Sequence, residues 1–307
     1  MSFDVWGRGP WLVHALMLIA SVAIATSFTV GAAITAGLDP KMLTLIRFAL
    51  AALLFAPFIA WRYGLTFPPW KSFAGYATIS LCLVFFFWSM FEALRHTTSL
   101  NTGALFTLVP GFSAIYAAIL VRERLSARRL IALGFGFFGA FWVIFRGDPG
   151  RLLSLDFNRG DLIFLFGCLA MGLYMPLVGR FHRGEPAPVM TFWTLVTGTA
   201  WLLIINNAAV WRTDWGQVDT AVFGGIVYLA VFSTLMTFFI YQYATLRIGP
   251  TRAAAYYYLN PALVVGVEFI LGKGLPTLMT MPGVAIVLLA TLVLQLGVKE
   301  KRAAESR

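Results

Sequence analysis

Ten apolar runs of about twenty residues each, nearly free of charge, constrain this chain more than any other feature of its sequence. They cover approximately residues 12–36, 42–61, 74–94, 101–121, 128–145, 161–180, 188–210, 220–246, 252–271 and 280–298. A bilayer core about 30 Å thick needs about 20 apolar residues at about 1.5 Å rise each, and inside it only helices or closed barrels satisfy their own backbone. Of the 307 residues, 12% are charged and 60% hydrophobic. A soluble domain carries about 25% charge, so this chain cannot cover a water-facing surface. The expectation is an all-α membrane protein of ten transmembrane helices, with no room for a soluble domain.

The connectors are short and carry chain-breaking residues: Asp39-Pro40, Pro68-Pro69, Gly147-Asp148-Pro149-Gly150, Glu185-Pro186 and Gly249-Pro250. The longest, 146–160, falls at the midpoint. Ala23-Ile24-Ala25 resembles a leader-peptidase site, but the apolar run continues to Ala36 and only Arg8 precedes it as a positive charge. A retained first helix is therefore expected.

The net charge of +10 does not form a phosphate-tracking stripe, because the basic residues lie between the apolar runs. Nucleic acid is excluded as a partner on that ground. Counting Lys and Arg in alternate connectors gives fifteen on the side of the termini: Arg8, Arg62, Lys71, Arg122, Arg124, Arg128, Arg129, Arg180, Arg183, Arg247, Arg252, Lys299, Lys301, Arg302 and Arg307. The opposite side has seven: Lys41, Arg95, Arg146, Arg151, Arg159, Arg212 and Lys273. The positive-inside rule then places both termini in the cytoplasm. Cys82 and Cys168 lie within apolar runs, and His14, His96 and His182 lie at span ends. Neither set forms a metal-ligand cluster, and no cofactor is expected.

An internal repeat is the most informative pattern. Phe91-Glu92-Ala93-Leu94-Arg95, Asn101-Thr102-Gly103-Ala104 and Pro110 align with Gln242-Tyr243-Ala244-Thr245-Leu246, Arg252-Ala253-Ala254-Ala255 and Pro261, an offset of 151 residues. Each copy leads into a short loop, Val121–Leu125 or Leu271–Leu275, and a last apolar helix. Five helices is an odd number, so the second copy enters the membrane inverted. Such duplications place a binding site near the midplane, where the halves meet. The division is residues 1–146 as the first repeat, 147–160 as connector, 161–298 as the second repeat and 299–307 as a cytoplasmic tail.

These residues resemble the drug/metabolite transporter superfamily, in its ten-helix EamA-type branch. The likeness is carried by Leu45-Ile46-Arg47-Phe48-Ala49-Leu50-Ala51, by Phe91–Thr98 leading to Pro110, by Val121–Ser126 followed by Gly134, and by Leu246–Ala254 with Asn260-Pro261. Two positions depart from the pattern. The acidic residue after helix nine is Lys273, and the glycine late in helix ten is replaced within Val287-Leu288-Leu289. Within the branch the chain is most similar to a bacterial aromatic amino-acid exporter. The resemblance implies a monomer-competent secondary transporter in a bacterial inner membrane, with lipid around it and no obligate protein partner. It would export amino acids, aromatic ones included, by alternating access. Export of cationic drugs or other metabolites is the alternative. A membrane enzyme is the rival class, but no GxSxG, HExxH, CxxC or Walker A pattern occurs.

Pro110 and Pro261 lie mid-helix at matching repeat positions. Proline removes an i→i−4 hydrogen bond, so it would free the carbonyls of Phe106 and Tyr257 and provide a bending point. A packing kink is the plainer reading. Thr102, Phe106 and Ser113 follow helical spacing on one side of span four, and Tyr256, Tyr257 and Asn260 share a sector of span nine. Asn260 is either a substrate ligand or a bond between helices. Three successive tyrosines cannot all face one cavity, so one of Tyr256–Tyr258 packs elsewhere. Arg47, Glu92, Glu268 and Lys273 lie in or near spans, and most can snorkel to the interface. Glu92 is either a coupling or amine-binding carboxylate or the partner of Arg95 and His96. Ser27, Gly31 and Thr35, like Gly167 and Gly172, form small faces for close packing. The family builds its cavity from spans one, three, four, six, eight and nine. On that basis Ser27, Trp88, Tyr174 and Tyr241 join the candidate lining.

Overall fold

Each apolar run forms a helix, because a continuous ladder of i→i−4 bonds is what a chain without water partners requires. The computed structural model describes residues 10–123, 126–145, 147–150, 158–272, 274 and 278–296. Its helices are α1 (Pro10–Ile34), α2 (Pro40–Tyr63), α3 (Trp70–Ala93), α4 (Ser99–Leu120), α5 (Ala127–Ile144), α6 (Arg159–Phe181), α7 (Ala187–Arg212), α8 (Thr220–Ile248), α9 (Pro250–Ile270) and α10 (Met281–Leu296). No strand occurs among the described residues. Eight of the helices are long and apolar enough to cross a bilayer, while α5 and α10 have shorter apolar stretches. The chain is an all-α, ten-helix membrane protein. Lys273 and the tail 299–307 lie outside the described residues.

The helix starts follow local chemistry. Asp39 accepts from the Lys41 amide ahead of Pro40 at N1, the arrangement that satisfies orphan amides and tolerates proline. Asn158 and Asp161 form a reciprocal capping box at the start of α6. Thr97 also donates to Asp161 at 2.7 Å, which ties the α3–α4 corner to the second half. Gly249, at φ 87°, turns the chain between α8 and α9, a conformation that a Cβ disfavours.

Packing repeats with the sequence. The contact of α3 with α6 has its counterpart in α8 with α1, that of α4 with α6 in α9 with α1, and that of α3 with α7 in α8 with α2. The pairs α2–α7, α4–α9 and α5–α10 each join a helix to its own repeat mate. A contact network unchanged when the halves are exchanged is what a pseudo-twofold axis produces, and an odd helix number per half lays that axis in the membrane plane.

Two irregularities position the site. Helices α4 and α9 both pass through a 3₁₀ segment just before their prolines, Phe106–Leu108 and Tyr256–Leu259. The carbonyls expected to be freed by Pro110 and Pro261 are therefore engaged. The amide of Val109 bonds Phe106 O, and that of Asn260 bonds Tyr257 O. Tightening to i→i−3 lets the residue before each proline supply the missing donor. In α8, residues Val231–Met236 form a π turn.

Candidate substrate site

The two halves meet around a small central cavity. Its wall takes Ser27 and Phe28 from α1, Phe86, Phe87 and Met90 from α3, Phe106 from α4, Met171 and Tyr174 from α6, Ser233, Thr237, Phe238 and Tyr241 from α8, and Tyr257 from α9, with Ile24 completing it. These are the six spans to which the family resemblance points. The cavity measures about 20 Å³, room for about one water molecule.

The wall is mostly aromatic. Tyr257 is held between Phe106, with ring centroids 4.5 Å apart, and Tyr241, stacked at 4.7 Å. Phe106 also meets Phe28 at 5.4 Å and Phe86 at 5.3 Å. Aromatic pairs at such separations add about 0.5–1.5 kcal/mol beyond simple burial. Within this apolar shell the hydroxyls of Ser27, Tyr174 and Tyr241 are buried; Tyr174 faces Gln242 and Tyr241 faces Ser21, while Ser27 makes no hydrogen bond among the described residues. An unpaired buried hydroxyl costs about 1–3 kcal/mol, so Ser27 is the wall residue with hydrogen-bonding capacity to spare for a ligand.

The 3₁₀ segment explains where the three tyrosines point. At three residues per turn, successive side chains diverge by about 120°. Tyr256 hydrogen-bonds His14 of α1, Tyr257 enters the cavity, and Tyr258 packs where Gly136 of α5 leaves space. The expectation that Tyr256, Tyr257 and Asn260 share one sector does not hold. Asn260 is fully buried outside the cavity wall and donates to Tyr257 O at 2.9 Å, adding to the backbone bond there.

Of the sequence candidates, Ser27, Phe106, Tyr174, Tyr241 and Tyr257 come together in the wall. Thr102 is buried and returns its hydroxyl proton to Thr98 O and Ser99 O. Trp88 is half-buried and turns toward the exposed Phe85, their rings 5.7 Å apart. Pro110 and Pro261 open the second segments of α4 and α9. The small residues pack helices, as the plainer reading held. Gly31 lies against Leu94, Gly167 against Ser89, and Gly172 against Phe112.

Glu92 stands at the end of α3, 4.0 Å from Arg95 and 3.6 Å from His96, with its side chain 23% exposed. That is the ion-pair alternative, away from the cavity. A partly exposed pair of this kind contributes about 0–1 kcal/mol. Glu92→Gln is accordingly expected to transport within about twofold of the parent and with the same pH profile. A flattened profile in vesicle flux would restore a coupling role.

Sequence reasoning missed the apolar lining, Phe28, Phe86, Phe87, Met90, Met171 and Phe238, because an apolar residue in an apolar helix carries no distinguishing signal. It also missed Ser233 and Thr237, which the π turn brings into the wall. Arg47, one of the charges in or near spans, is 0% exposed.

Ten helices in two interlocked halves, with a small central cavity where the halves meet, define a duplicated multi-pass membrane protein of carrier architecture. The EamA-like transporter family model matches residues 11–145 and again 158–296, and the chain belongs to this family. It is 22% identical over 279 residues to the uncharacterized transporter YyaM of Bacillus subtilis, spanning 90% of this chain and 91% of that one. An uncharacterized transporter of Archaeoglobus fulgidus is 23% identical over 251 residues, covering 81% and 85%. A probable terminal-alkyne amino-acid exporter of Streptantibioticus cattleyicolor is 24% identical over 193 residues, 61% of each chain. A solved crystal structure shares the fold with a TM-score of 0.70 at 17% identity, over 94% of this chain and 98% of that one. The protein is thus a family transporter, and its partners are lipid and a small-molecule substrate.

Proposed function

We propose that the chain exports amino acids, aromatic ones included, across a bacterial inner membrane by alternating access. The observation that supports this reading is the small central cavity, aromatic on most sides, with the buried hydroxyls of Ser27, Tyr174 and Tyr241 at the junction of the halves. Such a wall suits a substrate with a flat apolar body and a few polar groups. The Streptantibioticus relative, described as a probable amino-acid exporter, supports the same class. Cationic drugs fit less well, because no Asp or Glu belongs to the lining.

At about 20 Å³ the cavity must expand before an amino acid enters. The matched 3₁₀ segments ahead of Pro110 and Pro261 are the places where α4 and α9 can bend, since proline has already removed one rung of each helix. The repeats, 1–146 and 161–298, would rock about them, with 147–160 as connector. The Lys and Arg distribution favours a cytoplasmic position for both termini. A recess of about 500 Å³ near Lys71, Tyr76, Arg183 and Glu185 would then lie on the cytoplasmic side. A single chain contains the whole cavity, so a monomer suffices.

The test is uptake of labelled tryptophan and phenylalanine into liposomes holding the purified protein, with and without a pH gradient. Saturable flux, competed by unlabelled substrate, is expected. Acceleration by the gradient is not expected, because the lining includes no carboxylate or imidazole. Silence across an amino-acid panel, with folded and inserted protein, would move the assignment to other metabolites.

A further inference from the structure

Behind the cavity wall lies a cation with no counter-ion among the described residues. Arg47 of α2 is 0% exposed, and among the described residues no carboxylate forms an ion pair with it. A guanidinium stays charged in proteins and carries five N–H donors. Here Nε donates to Thr234 Oγ1, and Nη2 donates to the Ser233 carbonyl at 2.8 Å. The guanidinium carbon lies 4.0 Å over the Phe87 ring. Nη1 is buried and has no hydrogen-bond partner among the described residues.

This arrangement holds the cation without neutralising it. Both hydrogen-bond partners lie in the π turn of α8, where Ser233 O accepts from Arg47 and also from Thr237 Oγ1 at 2.9 Å. π turns of this kind recur at functional sites. Ser233 and Phe87, which touch the guanidinium, are themselves cavity-wall residues. The charge is therefore one side chain removed from the central cavity. A buried arginine without its anion is costly, and a planar fork of N–H donors is matched by a carboxylate.

We propose that Arg47 is the anion-binding group of the central site: it receives the substrate's carboxylate as Phe87 and the π turn move aside, while the aromatic walls hold the apolar body. This deepens the amino-acid reading above and rests on it for the transport step, but the ligand chemistry is tested by binding alone.

The experiment follows thermal unfolding of the full-length chain in nanodiscs against paired ligands, 3-phenylpropionate with 3-phenylpropionamide and tryptophan with tryptophanamide. The acid of each pair is expected to stabilise the protein at about tenfold lower concentration than its amide, since a charge-assisted bidentate bond is lost in the amide. Arg47→Met should erase that preference, and Arg47→Lys should keep part of it, having the charge but not the fork. Equal responses to acid and amide in the parent protein, or none to either, would overturn the proposal. So would a folded Arg47→Met that keeps the preference. If Arg47→Met does not fold, the parent's preference and its reduction in Arg47→Lys decide the matter. Acid preference without amino-acid flux would leave the Arg47 site standing and remove the amino-acid export reading. Flux without acid preference would do the reverse.

Discussion

Valine at position 139 is expected to destabilise the protein by about 3 kcal/mol, the upper end of the usual cost of overpacking. A Cβ added to Gly139 would lie 2.9 Å from the Gly283 carbonyl oxygen and 2.8 Å from Val287 Cγ2. The approach is reciprocal, since a Cβ on Gly283 would lie 2.8 Å from Gly139 O. A carbonyl oxygen cannot rotate aside as a side chain can, so α5 and α10 must separate. Their separation also loosens the bond from Trp142 Nε1 to Met279 O, now 2.8 Å. Gly134 of the same helix supplies the control, because nothing lies within 4 Å of its added Cβ. Gly134→Ala should be neutral or stabilising by up to about 1 kcal/mol, as alanine is the better helix former. Thermal unfolding in detergent reads both. A Gly139→Val protein as stable as the parent would show that α5 and α10 do not pack through these glycines.

The second large effect is expected at Tyr257, on flux as well as on stability. Its ring fills the space between Phe106 and Tyr241 and is 1% exposed. Truncating a buried aromatic ring to alanine costs about 3–5 kcal/mol, because the gap closes only in part. Tyr257→Ala should also reduce flux at least about tenfold, since a wall lacking its central ring no longer fits a flat substrate. Tyr257→Phe keeps the ring and should stay within a few-fold. Phe106→Ala should resemble Tyr257→Ala, and the double variant should fall short of the sum, because the two rings share one contact. Vesicle flux normalised to folded protein separates the two consequences. Normal flux in a folded Tyr257→Ala protein would mean that the substrate passes elsewhere.

The ten spans were legible because the bilayer allows so few solutions. A run of about 20 apolar residues has little choice but a helix, and the helix ends fall within four residues of the expected ones. The repeat was legible through Pro110 and Pro261, and five wall residues followed from it and from the family resemblance. Backbone departures from α geometry were not legible. Proline showed where a donor was missing, but not that Val109 and Asn260 would supply another by tightening the turn. Reading α9 at 3.6 residues per turn then grouped Tyr256 with Tyr257, which the 3₁₀ turn sends to different neighbours. The π turn in α8 has no proline or glycine to announce it, so Ser233 and Thr237 were passed over. The position of Arg47 depended on that turn as well, since its two hydrogen-bond partners exist in this arrangement only once α8 is wound differently.

The near-absence of free volume at the centre has a consequence for the cell's energy supply. A carrier that kept a water-filled passage would let protons hop along a chain of hydrogen-bonded molecules and so short-circuit the membrane voltage. Space for one water cannot hold such a chain, and an aromatic constriction resists wetting. While the rings keep this packing they would act as electrical insulation at the centre of the membrane, and a carrier insulated in this way could be abundant without draining an ion gradient.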